Sequence, residues 1–349
     1  MEHTWPDVLT GLIGRDDLSA EAAGWAMDEI LAGNATPVQM AGFLVALRAK
    51  GESVDEIAGL ADAMLARATP IELPREAVDV VGSGGDRANT VNVSTMAAIL
   101  AAGAGAKVVK HGNRAASSAC GAADVLEALG VALDVRPEHQ AEVLERSGIV
   151  FLFAPLYHPS LRHAGAARRE LGIQTPFNFL GPLANPARPA AQAVGVANAR
   201  MARIMAGVLA GRGTRGLVFH GDDGLDELTT TTTSDLWLIT NGEVLATRLN
   251  PADLGLAAAS RDDLVGADAA HNAGVVQRVL AGEPGPVRDI VVLNAAAALL
   301  AYAGPDAARG ITEQVAEQIE RAERAIDTGA AATTLDAWVT ASRRATEPS

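Results

Sequence analysis

Two carboxylates stand side by side at Asp226-Glu227, in the run Gly221-Asp222-Asp223-Gly224-Leu225-Asp226-Glu227-Leu228 that follows the apolar stretch 217–219. Mg²⁺ commonly takes one or two carboxylates together with phosphate oxygens and water, so such a pair suits bridging a metal to a diphosphate. In a chain with 42 Asp and Glu, adjacent acids also arise as a plain surface loop. Far upstream lies Val80-Val81-Gly82-Ser83-Gly84-Gly85-Asp86. Glycines there let backbone N–H groups wrap an anion without Cβ obstruction. No Gly-Lys-Ser/Thr follows, so this is not a Walker loop, and the third glycine of a dinucleotide fingerprint is missing. Alone, the run reads equally as a tight turn. Thr90-Val91-Asn92-Val93-Ser94-Thr95 then sets four small hydrogen-bonding side chains before a helix. A helix N-terminus favours phosphate through its N–H groups and dipole. The alternative is that Ser94 or Thr95 simply caps the helix, which one residue would satisfy.

The next signal is a charge imbalance. No Asp or Glu occurs from Arg87 through Ala123, an interval that carries Arg87, Lys107, Lys110, His111 and Arg114. Its centre, Lys110-His111-Gly112-Asn113-Arg114-Ala115-Ala116-Ser117-Ser118, follows Val108-Val109. A cationic, serine-rich loop at the carboxyl end of a parallel strand is suited to phosphate or pyrophosphate. A solvated basic face is the competing reading.

These segments need a scaffold. The first 70 residues read as helices: Ser19 opens one that stops at Gly33, Thr36-Pro37-Val38-Gln39 is a capping box with Pro at the first position, and Ser53-Val54-Asp55-Glu56 is a second box. From residue 77 short apolar runs at 77–81, 108–109, 149–153, 193–196 and 217–219 alternate with helical stretches at 96–102, 124–129, 139–146 and 201–209. That rhythm predicts a mostly parallel sheet covered by helices. Asn241-Gly242 between two apolar runs predicts an added antiparallel hairpin. Helices return from residue 267, and the tail from Arg343 is expected to fray.

Bulk properties narrow the function. Hydrophobic residues make up 49% and charged residues 20%, an ordinary globular balance. With a net charge of −14 and 3% aromatics, neither a nucleic-acid groove with a stacking platform nor binding to an anionic membrane is expected. The single Cys120 excludes an intrachain disulfide and a cysteine metal cage and fits a reducing cytoplasm. No signal peptide is read at the start of the sequence, and no apolar stretch is expected to reach the roughly 18 to 20 residues that span a bilayer.

In order along the chain, Gly82-Ser83-Gly84-Gly85-Asp86, Asn92-Val93-Ser94-Thr95, Lys110-His111-Gly112-Asn113-Arg114, Gly121-Ala122-Ala123-Asp124, His158-Pro159-Ser160, Arg168-Arg169-Glu170-Leu171-Gly172-Ile173, Phe177-Asn178-Phe179-Leu180-Gly181-Pro182-Leu183 and Asp226-Glu227 resemble the anthranilate phosphoribosyltransferase family over nearly the whole chain. The resemblance implies an α/β fold: a small all-helical domain at 1–70, with added helices around 160–185, hinged to a larger α/β domain at 75–345 with a mostly parallel central sheet. It implies that Gly82, Gly85, Asp86, Thr90, Asn92, Val93, Ser94, Thr95, Lys110, His111, Gly112, Asn113, Arg114, Ala115, Ala116, Ser117, Ser118 and Ala122 line a phosphoribosyl pyrophosphate site. Ser94, Asp226 and Glu227 would hold Mg²⁺. Gly82, Asn113, His158 and Arg168 would meet anthranilate, with Arg168 reading its carboxylate. The implied assembly is a homodimer through the helical domain.

Several positions depart from the family pattern. Arg87 stands where glycine is frequent, Cys120 and Ala122 where serine is frequent, Gln174 where arginine is common, and Ala184 where threonine is usual. Other readings stay open on sequence grounds. They are a pyrimidine nucleoside phosphorylase, a paralogue using another aromatic amine, and a non-catalytic nucleic-acid-binding relative on the same scaffold.

Overall fold

The computed structural model describes residues 3–115 and 119–347. Ala116, Ser117 and Ser118, expected at the diphosphate, lie outside the described residues. The chain divides into two units, Met1–Pro70 with Pro155–Pro186, and Ile71–Ala154 with Ala187–Ser349.

The first unit is helical. It holds α1 (Trp5–Ile13), α2 (Ala20–Ala32), α3 (Pro37–Lys50) and α4 (Val54–Ala66), and takes up the chain again at the short α8 (Ala154–Tyr157), α9 (Arg162–Leu171) and α10 (Phe177–Leu180). Local chemistry sets the boundaries. Ser19 accepts from Ala22 N–H, Gly33 closes α2 in the left-handed region, and both expected capping boxes form, Thr36 with Gln39 and Ser53 with Glu56. Glu56 also accepts from Leu18 N–H and from Lys50 Nζ at 2.9 Å in each case, a buried charge with its lone pairs satisfied. Trp5 packs against Trp25 and Phe43.

The second unit is an α/β layer structure. Its strands are β1 (Val78–Gly82), β2 (Val108–Gly112), β3 (Ile149–Phe153), β4 (Ala191–Gly195), β5 (Arg215–Gly221), β6 (Ser234–Thr240) and β7 (Glu243–Leu249). They form one sheet in the order β3-β2-β1-β4-β5-β6-β7. The first five are mutually parallel, and β6 and β7 add antiparallel on the β5 side. The β6–β7 turn has Asn241 and Gly242 both at positive φ, the conformation this dipeptide favours. The helices are α5 (Val93–Gly103), α6 (Ala122–Ala128), α7 (Pro137–Ser147), α11 (Ala199–Gly211), α12 (Ala269–Leu280), α13 (Pro286–Ala303), α14 (Ile311–Asp327) and α15 (Ala330–Arg344).

Small residues let these helices approach closely. A Cβ on Gly103 of α5 would lie 2.7 Å from Ala331 Cα of α15. Two expectations are corrected here. By length and composition α13 is apolar enough to cross a bilayer, contrary to the sequence reading. Its stretch Ile290 to Ala301 is instead buried against α5, α14 and the sheet, which accounts for its composition. The C-terminal tail is helical through Arg344, and Arg343 Nε donates to Gly130 O at 2.7 Å, so the expected fraying does not begin at Arg343.

Candidate active site

Strand order places the site. From β1 the chain builds outward through β2 and β3 on one side, and β4 and β5 extend the other, so β1 and β4 flank the point where the connections reverse. Ligands in open parallel sheets sit beyond the carboxyl ends of the strands at such a point. There Gly82 of β1 pairs in register with Gly195 of β4. A Cβ on Gly82 would overlap Asp226 Oδ2, and a Cβ on Gly195 would overlap the Asp226 carbonyl. Gly112 and Gly221 end β2 and β5, and a Cβ on either would also collide, with Phe151 and Asp223 respectively. Four parallel strands therefore finish without a side chain, and Asp226 is seated in the space this leaves. Gly84 N–H donates to Asp226 Oδ2 at 2.7 Å.

Glu227 sits beside Asp226, and both are buried. Burial first, and then the charge of Asp86, pushes the Asp226 carboxyl up to about 7. Burial and Asp226 drive Glu227 well above the ordinary carboxylate range; Lys110 and a hydrogen bond from the Ser94 backbone pull it down. Asp86, Asp226, Glu227, Ser94 and Lys110 thus share one locality, as the metal reading requires. Among the described residues no group of three or more His, Cys, Asp or Glu forms a metal cage. Two adjacent carboxylates with one hydroxyl fit Mg²⁺, which keeps sites for phosphate oxygens and water, better than a metal needing a full protein cage. The acid pair also gives a cation something to offset.

The helix that follows is not capped by Ser94 or Thr95. Asn92 occupies the N-cap of α5 and makes no capping bond. Its side chain instead donates to Cys120 O at 3.1 Å and accepts from Asn272 Nδ2 at 2.9 Å, tying the loop ahead of α6 to α12. The expectation of free N–H groups in the first turn is corrected. Val93 N–H goes to Val91 O, Thr95 N–H to Asn92 O, and the Ser94 backbone to Glu227. The glycine loop turns through Gly84, Gly85, Arg87 and Asn89, all at positive φ, and bonds Ser83 N–H to Gly195 O, Gly84 N–H to Asp226 and Ala88 N–H to Asp86. Arg87 at φ 60 explains why glycine suits that position; a bulky residue there costs about 1–3 kcal/mol of backbone strain. Thr90 pairs with Val265 in an isolated bridge. Val93 and Thr95 are buried, and Thr95 Oγ1 has no hydrogen-bond partner among the described residues.

The cationic zone is also corrected. Lys110 is 1% exposed; its Nζ donates to Val80 O and to Ser94 Oγ, the latter at 3.3 Å. Burial lowers its pKa against the opposing charges of Asp79 and Glu227. It braces Ser94 and the end of β1 rather than standing open. His111 is buried, with its N–H on Asp79 Oδ1 at 3.1 Å. Lys107 precedes β2 and so lies at the amino end of the sheet, away from the loops. Arg114 is bound by Asp124 and Glu127 at 3.0 and 2.8 Å and lies over the Phe153 ring. The acid-free window ended one residue too early to show this, because α6 folds its acids back over the loop. Asp124, unassigned from sequence, accepts from Ala115 N–H at 2.9 Å and Gly121 N–H at 2.8 Å and so closes the loop that carries residues 116–118. Asn113 is exposed and Ala122 half-buried.

The residues expected at the acceptor fall in both units, Gly82 and Asn113 in the α/β unit and His158 and Arg168 in the helical unit. His158 is buried with Nε2 2.9 Å from Ala184 O, and burial lowers its pKa although that carbonyl acts the other way. Arg168 is half-buried over the Phe177 ring, 5.0 Å from its centroid. Among the described residues no carboxylate pairs with Arg168, and burial alone lowers its pKa.

A helical bundle joined in one chain to a parallel α/β sheet, with a buried acid pair packed over its glycine-ended strands, is the architecture of a two-unit glycosyl transferase. The comparisons agree with that class. The model described as "Glycosyl transferase family, helical bundle domain" matches residues 6–68, and that described as "Glycosyl transferase family, a/b domain" matches residues 74–332. An anthranilate phosphoribosyltransferase of Arthrobacter sp. (strain FB24) is 59% identical over 98% of this chain and 97% of its own. The crystal structure of the Thermus thermophilus enzyme of that name superposes with a TM-score of 0.89 at 40% identity, covering 97% of this chain and 99% of its own. The Saccharomyces cerevisiae enzyme in complex with PRPP and Mg superposes at 0.88 with 28% identity, covering 99% of each chain. The chain belongs to the anthranilate phosphoribosyltransferase family.

Proposed function

We propose that the protein transfers the 5-phosphoribosyl group of phosphoribosyl pyrophosphate to the amine of anthranilate and releases pyrophosphate, the second step of tryptophan synthesis from chorismate. The observation that carries this reading is the seating of Asp226 and Glu227 beside Ser94 and Gly84, against the paired strand ends Gly82 and Gly195. The donor is assigned to that seat, with Asp86, Thr90 and Asn92 around it and the loop 110–118 beside it. Bound by Asp226, Glu227 and Ser94, Mg²⁺ would neutralise charge on the departing diphosphate. The backbone of the glycine loop holds the phosphates without a side chain in the way. Lys110 holds Ser94 in place through Nζ.

The reaction breaks the bond from C1 to the diphosphate oxygen, whose electrons leave with pyrophosphate, and forms a bond from the amine nitrogen to C1. The ribosyl centre is oxocarbenium-like on the way. An aryl amine is already a neutral nucleophile and loses its proton after attack, so no residue is assigned as a base. Arg168 is assigned to the acceptor's carboxylate: it is half-buried, stacked and without a carboxylate of its own among the described residues. His158, with Nε2 held on Ala184 O, is assigned beside the acceptor with Gly82 and Asn113. A paralogue using another aromatic amine would keep the donor half and differ at the acceptor.

The helical unit is proposed to form a homodimer. Ile13, Val38 and Val45 are 76%, 81% and 43% exposed, and Val38 and Val45 lie two turns apart on one face of α3 with the exposed Gly42 between them. The single, buried Cys120 supports a reducing cytoplasm as the setting.

The test is the loss of anthranilate fluorescence on adding phosphoribosyl pyrophosphate and Mg²⁺. Fluorescence should fall with the wild type and stay with chelator present. Asp226→Asn and Glu227→Gln should each lower turnover at least 100-fold; near-native rates in both would overturn the metal assignment.

A further inference from the structure

We infer that Asn294 is a positioning residue for the acid pair, its carboxamide bracketing Leu228 and thereby setting the direction of Glu227 and Asp226. This rests on the metal reading above. Asn294 is the one polar side chain in the buried stretch Ile290 to Ala301 of α13, and it is 1% exposed. Its Oδ1 accepts from Leu228 N–H at 2.9 Å, and its Nδ2 donates to Leu228 O at 2.8 Å and to Ile290 O at 2.8 Å. One side chain thus pairs both polar groups of a single buried residue, as a neighbouring strand would. The N–H it holds belongs to the peptide bond that begins at the Glu227 carbonyl.

The segment needs such a clamp. Residues 222–228 form turns and bends with no ladder to fix them. The segment is also tied by turn bonds within 221–225, by Asp222 N–H on Thr233 O, by the Asp223 carboxylate, which accepts from Leu225 N–H and from Thr229 and Thr231, and by Gly84 N–H on Asp226, and none of these bonds reaches the Leu228 backbone. α13 is a long helix that also packs along α5. The first turn of α5 carries Ser94, whose backbone bonds Glu227. One rigid element therefore references both sides of the metal seat, the acid pair through Asn294 and the hydroxyl through α5. Burying an amide in an apolar helix is costly unless its bonds are made, and here both donors and one acceptor are used. Supporting groups of this kind are worth about 10–100-fold in metal affinity at other sites.

The test uses the full-length protein with Asn294→Leu, close in volume but unable to bond, and Asn294→Ser, which can still reach Ile290 O but cannot bracket Leu228. Mn²⁺ binding in the presence of phosphoribosyl pyrophosphate and without acceptor is followed by electron paramagnetic resonance. Melting temperature and the KM for anthranilate are measured alongside, with Asp226→Asn run in parallel. The expected result is a rise of tenfold or more in the Mn²⁺ half-saturation point, with anthranilate KM within twofold of wild type in whichever variants melt cooperatively. A cooperatively melting Asn294→Ser or Asn294→Leu that binds Mn²⁺ like wild type while Asp226→Asn does not would overturn the bracket alone. Native Mn²⁺ binding by Asp226→Asn would overturn the metal reading and the bracket with it.

Discussion

Arg168 and Arg114 are the same residue type in opposite circumstances. Arg114 already satisfies two carboxylates, whereas Arg168 holds its guanidinium over Phe177 with no carboxylate partner among the described residues. An arginine kept in a half-buried, stacked setting is pre-organised for a planar anion. Arg168→Ala should therefore raise the KM for anthranilate at least tenfold while leaving the KM for phosphoribosyl pyrophosphate within about threefold; an unchanged anthranilate KM in steady-state assays would remove Arg168 from the acceptor's site. His158 has a different signature. Burial holds its folded pKa below the ordinary 6.5, so the neutral ring contributes stability that is present above 6.5 and lost as pH falls through the depressed folded value. The urea midpoint should drop between pH 7 and pH 5 in wild type and drop less in His158→Gln.

Among elements, α5 ties the site to the core: its first turn carries Ser94 and its last residue, Gly103, meets α15. With Ala331 Cα 2.7 Å from where a Cβ would stand, Gly103→Val should cost about 1–3 kcal/mol of stability, read as a lower denaturant midpoint. Elements governed by local chemistry were legible in the sequence. The capping boxes at Thr36 and Ser53, and the Asn241-Gly242 turn, are short-range signals, and each formed as expected. Lys110 was misread because β2 is an interior parallel strand buried on both faces, so residue type does not decide exposure there. Gly195 looked like ordinary strand interior; only the pairing with Gly82 reveals its purpose. Asp124 and Asn294 act on backbone 9 and 66 residues away, and no periodicity announces that. The one local trace of Asn294 is an amide in an otherwise apolar helical run.

At the scale of the whole molecule, the exposed valines of α3 bear on assembly. Under the proposed homodimer, wild type should have a dimer's mass in light scattering at micromolar protein and Val38→Asp a monomer's; a dimeric Val38→Asp would remove α3 from the interface. The four glycine-tipped strands have a further consequence, for redesign. At these four positions a codon library finds no side chain to exchange, and every replacement adds atoms that collide with Asp226, Phe151 or Asp223. The packing beneath the acid pair is thereby closed to point substitution. Under the proposed function, attempts to change the acceptor have their freedom instead near Arg168, at positions such as the half-buried Gln174 and the exposed Ile173.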